Sequence, residues 1–415
     1  MIASRFGVTV IGGGPAGIAA AIAASVDGAS VLLIERAVRL GGLLRQCIHD
    51  GFGNERYGER LTGPEYAFKD ISVLEQTNVV VLLQTSVVDI SRSENVIQLN
   101  LSNRHGTVLV ESKSVVIATG AGEKNAFQMG IHGTRPAGVM TALSAQYYIN
   151  IMGQLPFQRC MVLGSDDVAL IVARRLTIEG CKVFGIYEPS DKPLGKLSNV
   201  SQCLFDYDIP LNLNHTVTRL FGTQRLRAVE LYRVDKALNL IKGSMNVVKT
   251  DGLVLSAGLI PDTDIAQRLG VPISTLSDGP ICDQNYMTLV DGVFACGNAL
   301  QVSDVVEYVS ESAEIAGRSA SRYMARERSL IEIELSKEYL TATPLCIDPE
   351  FLFGQTVMFF KVAAEKRDAT VKILADNREI FTQKYEILRP SLTERIVVDF
   401  SGGLTAESKI IMRME

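Results

Sequence analysis

None of the seven cysteines, at positions 47, 160, 181, 203, 282, 296 and 346, forms a CxxC pair. That absence excludes the usual zinc-knuckle and iron–sulfur spacings and a local dithiol redox pair, so no metal is expected. No run of Lys or Arg occurs, and a net charge of −5 with a pI near 5.6 leaves no basic surface for phosphate backbones. Nucleic acid is therefore not an expected partner. No apolar stretch reaches the roughly 18 residues of a membrane span, and no signal peptide is expected ahead of the first strand. The expectation is a cytoplasmic chain with no integral membrane segment. Disorder is excluded as the default by 47% hydrophobic and 21% charged residues, and 415 residues leave room for roughly two or three domains.

What is present begins at residues 8–17, VTVIGGGPAG, an apolar strand that breaks at Gly12, Gly14 and Gly17 before the helix-like IAAAIAAS. In a dinucleotide-binding turn the first glycine makes the bend, the second admits a pyrophosphate and the third lets helix and strand pack closely. The phosphates sit at the helix N-terminus, where free N–H groups and the helix dipole favour negative charge. VLLIE (31–35) reads as the next strand and ends on Glu35, an acceptor for ribose hydroxyls. A second such unit starts at CMVLG (160–164), runs through a helix-like segment and ends with KVFGIYE on Glu188. VVIATGAGEK (115–124) and DGLVLSAGLIPDTD (251–264) are strand-to-turn crossings. From about Leu335 the chain becomes β-rich, with Asp376-Asn377 and Gly402-Gly403 as turn signals and no catalytic signature. This tail is either a docking element for another subunit or a stabilising appendage.

The order of these pieces resembles the FAD/NAD-dependent two-dinucleotide-binding flavoproteins, the pyridine nucleotide-disulfide oxidoreductase superfamily, over residues 6 to about 325. GGGPAG with Glu35 looks like the FAD ADP site, IATGAG (117–122) like a second FAD-contacting turn, and VFACGNA (293–299) like the late motif that reaches the ribityl chain. In that motif Gly-Asp is replaced by Gly297-Asn298, which keeps a carbonyl acceptor without the charge. A closer resemblance, in GGLLRQCIHDGFG (41–53), LTGPEYA (61–67), GTRPAGVMTALSAQ (133–146) and VSESAEIAG (309–317), is to a bacterial subgroup. That subgroup is often paired with a glycerol-3-phosphate dehydrogenase-like flavoprotein and is related to flavoprotein subunits of amino-acid and opine dehydrogenases.

The resemblance implies an α/β fold: two Rossmann-like three-layer dinucleotide-binding domains, the FAD domain discontinuous, plus a small C-terminal β-rich domain. Its boundaries are 1–124 and 256–335 for the FAD domain, 125–255 for the NAD(P)-binding-like domain and 336–415 for the tail. It assigns FAD to Gly12, Gly14, Pro15, Ala16 and Gly17, to Glu35 and Arg36, and to Gly42 and Gln46. Val87, the turn Ala118-Thr119-Gly120, the pair Gly297-Asn298, and Glu311 complete the set.

Two departures narrow the chemistry. Disulfide-reducing relatives carry CxxxxC directly after the GG turn, where this chain has Leu44 and His49, so dithiol exchange with a flavin is disfavoured. The second nucleotide turn reads Gly164-Ser165-Asp166-Asp167-Val168-Ala169, with Asp166 in place of the glycine that admits pyrophosphate. A carboxylate near a phosphate costs about 1 to 4 kcal/mol, so Asp166→Gly is expected to tighten NADH binding by roughly tenfold or more. Asp166 or Ser165 can instead cap the helix. A degenerate NAD(H) site is expected, and if the dinucleotide binds, Glu188 favours NAD over NADP. Cys47 and His49 are the candidate catalytic residues, one as a reactive thiol and the other as a proton carrier, against a buried cysteine and a loop histidine.

These readings converge on an FAD-dependent oxidoreductase acting on a small-molecule redox substrate, as the electron-transferring subunit of a multi-subunit dehydrogenase. The alternatives are a self-sufficient NADH-dependent flavin oxidoreductase and an FAD-binding scaffold without turnover. Partners are other dehydrogenase subunits, or a second copy of the chain joined through the C-terminal domain.

Overall fold

Runs that are apolar at every position, rather than alternately, form strands buried on both faces. VLLI (Val31–Ile34) is such a run, and the VTVI end of Arg5–Ile11 is likewise buried at every position although it includes Thr9. In the computed structural model, which describes residues 4–93, 96–352 and 354–415, they lie side by side and parallel in a seven-stranded sheet. The order is Val80–Leu82, Val31–Ile34, Arg5–Ile11, Gly106–Ile117, Val96–Asn103 and Ser86–Ser93. Gly106–Ile117 is long enough to serve two neighbours, pairing antiparallel with Val96–Asn103 and, at its C-terminal end, parallel with Val293–Ala295. Helix Pro15–Val26, rich in alanine, packs on helix Val306–Ser321, so a side chain at Gly317 would run into the Ala20 carbonyl. The α/β fold expected from the sequence is present.

The chain divides into two compact units: one runs up to Ala121 and resumes at Pro261, the other is Gly122–Ile260. The second unit holds a parallel five-stranded sheet in the order Val139–Thr141, Gly252–Leu255, Arg159–Leu163, Lys182–Glu188 and Leu211–Leu213. A four-stranded sheet accompanies it: His132–Gly133, His215–Phe221, Ala228–Arg233 and Asn246–Lys249.

The β-rich tail is a sandwich within the first unit. Five strands (Cys346–Ile347, Ile331–Leu335, Ile410–Met414, Lys366–Ala375 and Arg378–Leu388) make one sheet. Tyr339–Thr343, Thr356–Val362 and Glu394–Val398 make the other. Its first and last strands pair in parallel, which ties the two ends of the domain together. Side chains alternate along Thr356–Val362, as a strand requires. Met358, Phe360 and Val362 fill the sandwich, whereas Phe359 belongs to the core of the seven-stranded sheet and Val357 packs against it.

Candidate functional site

Three segments far apart in sequence meet at the C-terminal end of strand Arg5–Ile11. Gly12 has φ +110°, and a Cβ there would run into the Ala118 carbonyl; one on Gly17 would run into the Gly12 carbonyl. A Cβ on Gly297 would come within 2.7 Å of Ala16 Cβ. The first turn, the 118–120 turn and the late Gly-Asn turn therefore touch. Gly14 differs from its neighbours: the nearest atom to a Cβ built on it is Gly42 Cα, 3.9 Å away. The protein's own packing does not require glycine there.

Helix Pro15–Val26 starts at that point with Gly14 as its N-cap, no side-chain cap, Pro15 in the first turn and no acidic residue beside it. The Ala16 and Gly17 amides have no partner inside the helix. Glu35 is 9% exposed and accepts from the Gly13 and Ala37 amides, both at 2.6 Å. A carboxylate has about four lone-pair positions, so acceptor capacity remains for ribose hydroxyls. Open space at Gly14, uncapped amides and a buried carboxylate one strand away fit the ADP half of FAD.

The other expected residues fall at varied places. Gly42 and Gln46 bound a short 3-10 turn, with Gln46 buried. Arg36 is exposed, and Val87 is half-buried in strand Ser86–Ser93. Thr119 Oγ1 donates to the Asp262 carbonyl at 2.8 Å, while Gly120 takes φ +79°. Asn298 Oδ1 accepts from Ser303 N at 3.0 Å, and Gly297 N donates to Ser312 Oγ at 3.0 Å. Both oxygens of Glu311 accept from Arg395 of the C-terminal sandwich, at 2.7 Å each, a protein partner that its expected cofactor role did not include.

Cys47 closes the 42–46 turn, and burial pushes its thiol up to about 11. At neutral pH it is a thiol and not the thiolate that a nucleophilic role requires. The His49 ring is tilted against Phe52 with centroids 5.2 Å apart. Nearby Gly63 donates its amide to the Cys47 carbonyl at 2.9 Å, and a Cβ there would stand 2.9 Å from Cys47 Cβ.

The second unit builds the same turn and then closes it. Gly164 keeps φ +106° under the Ser256 carbonyl, as the turn demands. Asp166 caps helix Asp167–Ile178: its Oδ1 accepts from Ala169 N at 2.9 Å and Ser256 Oγ at 2.6 Å. Burial raises its pKa. Asp167 Oδ1 accepts from Lys196 N and Asn199 Nδ2, each at 2.8 Å. Glu188, 3% exposed, accepts from Ser165 Oγ at 2.6 Å and from both Ser190 N and Ser190 Oγ. Segment 190–196 thus folds back on the turn, with Gly195 N donating to Ser165 O at 2.8 Å. Sequence reasoning offered Asp166 or Ser165 as an alternative cap but missed this segment; its signal was Ser190, Pro193 and Gly195 directly after the acid-terminated strand.

The pattern of one family, described as pyridine nucleotide-disulphide oxidoreductase, matches residues 6–320, from the first strand to the end of the helix that carries Ser312. The chain belongs to that family. Its members are flavoprotein oxidoreductases that bind FAD and NAD(P)H. A relative named as an opine oxidase subunit, from Agrobacterium tumefaciens (strain Ach5), is 22% identical over 353 residues, covering 80% of this chain and 67% of the relative. Thioredoxin reductase of Listeria innocua is 24% identical over 350 residues, covering 80% of this chain and 98% of the relative. Hydrogen cyanide synthase subunit HcnB of Pseudomonas protegens is 26% identical over 294 residues, covering 65% and 60%. Among solved structures, T. acidophilum thioredoxin reductase superposes with a TM-score of 0.62 at 21% identity, covering 77% of this chain and 99% of its own. That similarity is one of fold. No described helix is long and apolar enough to cross a membrane.

Proposed function

We propose that this chain is the electron-transferring flavoprotein subunit of a multi-subunit dehydrogenase. In this reading FAD is held at Gly12–Gly17, Glu35, Gly42, Ala118–Gly120 and Gly297-Asn298, and electrons do not enter from NADH. The observation that carries it is the contrast between two equivalent helix N-termini. The first has no side-chain cap and no acid. The second is capped by Asp166 and has Asp167 in its first turn. An uncapped N-terminus attracts a pyrophosphate, whereas a capped and doubly acidic one repels it.

Bound FAD supplies a two-electron acceptor. The chain's own residues then have defined tasks: the Ala16 and Gly17 amides orient the pyrophosphate, Glu35 accepts from the ribose, and Gly14 and Gly42 leave the passage open. A dithiol relay finds no support in the cysteines. Cys47 follows the turn alone, while Cys160 and Cys181, with sulfurs 3.6 Å apart, are buried near the N-terminal ends of their strands, away from the Gly164 turn. The relatives named as enzyme subunits, for opine oxidase and hydrogen cyanide synthase, favour the multi-subunit reading; a cytoplasmic location and a small-molecule substrate are part of the same proposal. The paired glycerol-3-phosphate dehydrogenase-like flavoprotein belongs to the same proposal.

Anaerobic mixing of the purified yellow chain with NADH, followed at the flavin band, tests it. No reduction over minutes is expected. Rapid bleaching would instead establish the self-sufficient NADH-dependent oxidoreductase, and a colourless chain that takes up no added FAD would overturn the flavoprotein assignment.

A further inference from the structure

The outer face of the three-stranded sheet in the C-terminal sandwich is not free. Arg395 holds Glu311 by two parallel hydrogen bonds of 2.7 Å. Thr393 N donates to Asp304 Oδ1 at 2.8 Å, and Thr343 Oγ1 donates to Gln301 Oε1 at 2.6 Å. Tyr286 Oη donates to the Val357 carbonyl at 3.3 Å, and the Tyr308 and Phe359 rings lie 5.3 Å apart. Every one of these contacts lands on residues 286–311, the stretch that contains Gly297-Asn298 and the start of helix Val306–Ser321. Ser312, next to Glu311, is the residue that accepts from Gly297 N.

We propose that the C-terminal sandwich is an internal brace for the flavin-side helix, with Arg395 as a positioning residue that acts through Glu311. The proposal rests on the FAD reading above for its functional consequence, not for its geometry. A planar guanidinium meeting a carboxylate at two points fixes direction as well as distance, which a lysine cannot do. The Glu311 and Arg395 side chains are 29% and 35% exposed, so the pair is only partly screened. A small cavity between the two parts is lined by Gln301, Ser312, Thr343 and Thr393. Gln301 Nε2 and Thr393 Oγ1 are buried there without partners, which marks a place for a bridging water that would extend the same brace. The brace sets where helix Val306–Ser321 begins, and through Ser312 it sets the Gly297 amide.

The test uses the full chain with Arg395→Met, Arg395→Lys and the double variant Arg395→Met/Glu311→Gln, each stripped of FAD and retitrated. Amide hydrogen exchange in the FAD-free protein should rise by roughly tenfold in residues 306–321 of Arg395→Met, a local opening that leaves the second unit unchanged. FAD affinity should fall by about tenfold, with partial recovery in Arg395→Lys. The flavin midpoint potential should fall in Arg395→Met, because an unpaired carboxylate opposes electron uptake, and recover in the double variant. Exchange in 306–321 and FAD affinity within about twofold of the unaltered chain would overturn the brace, as would exchange raised equally everywhere. If the unaltered chain takes no FAD, the FAD reading fails and exchange alone decides the brace. If it takes FAD while the helix does not respond to Arg395→Met, the brace fails and the FAD reading stands.

Discussion

At the scale of single residues, two glycines that look equivalent in GGGPAG, Gly14 and Gly17, do different work. Gly17 is required by the protein itself, because a side chain there meets the Gly12 carbonyl, so Gly17→Ala should destabilise the apo-chain by about 1–3 kcal/mol or more. Gly14 has φ −77° and open space before it, so Gly14→Val should fold with a near-normal melting temperature yet lose FAD. Melting curves of FAD-stripped protein and flavin stoichiometry separate the two variants, and a full flavin load in folded Gly14→Val would remove the turn from the cofactor site. Asp166 behaves less simply than its sequence position suggests. Its removal takes away one charge, but Asp167, Glu188 and the 190–196 segment still occupy the turn. The tenfold gain expected from charge alone should therefore not be reached by Asp166→Gly, at a capping cost of only a few tenths of a kcal/mol. Calorimetric titration with NADH checks this, and a gain of tenfold or more would mean that Asp166 alone shuts the site.

At the scale of elements, the sandwich is continuous with the first core. Phe359 leaves one strand of the tail to join the cluster built on Arg5–Ile11 and Gly106–Ile117, while Phe360 fills the sandwich beside it. A chain cut after residue 330 would expose Tyr286, Leu300 and Tyr308, which now face the tail. We expect it to aggregate or to melt well below the full chain, with reduced flavin content. A soluble truncated chain of unchanged melting temperature and full FAD would show that the tail is an appendage. The strand–turn–helix units were legible in the sequence because each is local: fully apolar strands, glycines at fixed spacing and a terminal acid follow one another within about thirty residues. Glu311 with Arg395, 84 residues apart, was not legible, since nothing in either local pattern names the other. The Asp166 cap lay between these cases. Its residue type marked two competing uses, and only the Ala169 and Ser256 contacts decide for the cap.

At the scale of the whole molecule, buried carboxylates set how stability depends on pH. Asp283 is fully buried beneath the join between the FAD-type sheet and the sandwich, and burial pushes its pKa up to about 6 despite Arg328 at 3.0 Å. Arg328 is itself 5% exposed and also pairs with Asp291, and Arg326 engages Asp348. Burial likewise raises Asp70 and Glu394, whereas the lowered carboxylates, such as Glu65 and Asp376, are exposed and screened by water. An unfolded aspartate titrates near about 3.9, so between about pH 4 and 6 the folded chain holds a proton at Asp283 that the unfolded chain has released. Stability contributed by this group is therefore present at the acid end and is lost as pH rises through about 6, by an amount on the order of 1–3 kcal/mol. Asp283→Asn keeps an oxygen that can accept from the Asn285 and Met287 amides and cannot ionise, so it should flatten the decline in unfolding free energy between about pH 4 and 6 whatever it does to absolute stability. Denaturant titrations of both proteins across that range provide the measurement. Parallel pH profiles for the two would mean that the Asp283 carboxylate is already ionised throughout, held by Arg328 as a permanent ion pair.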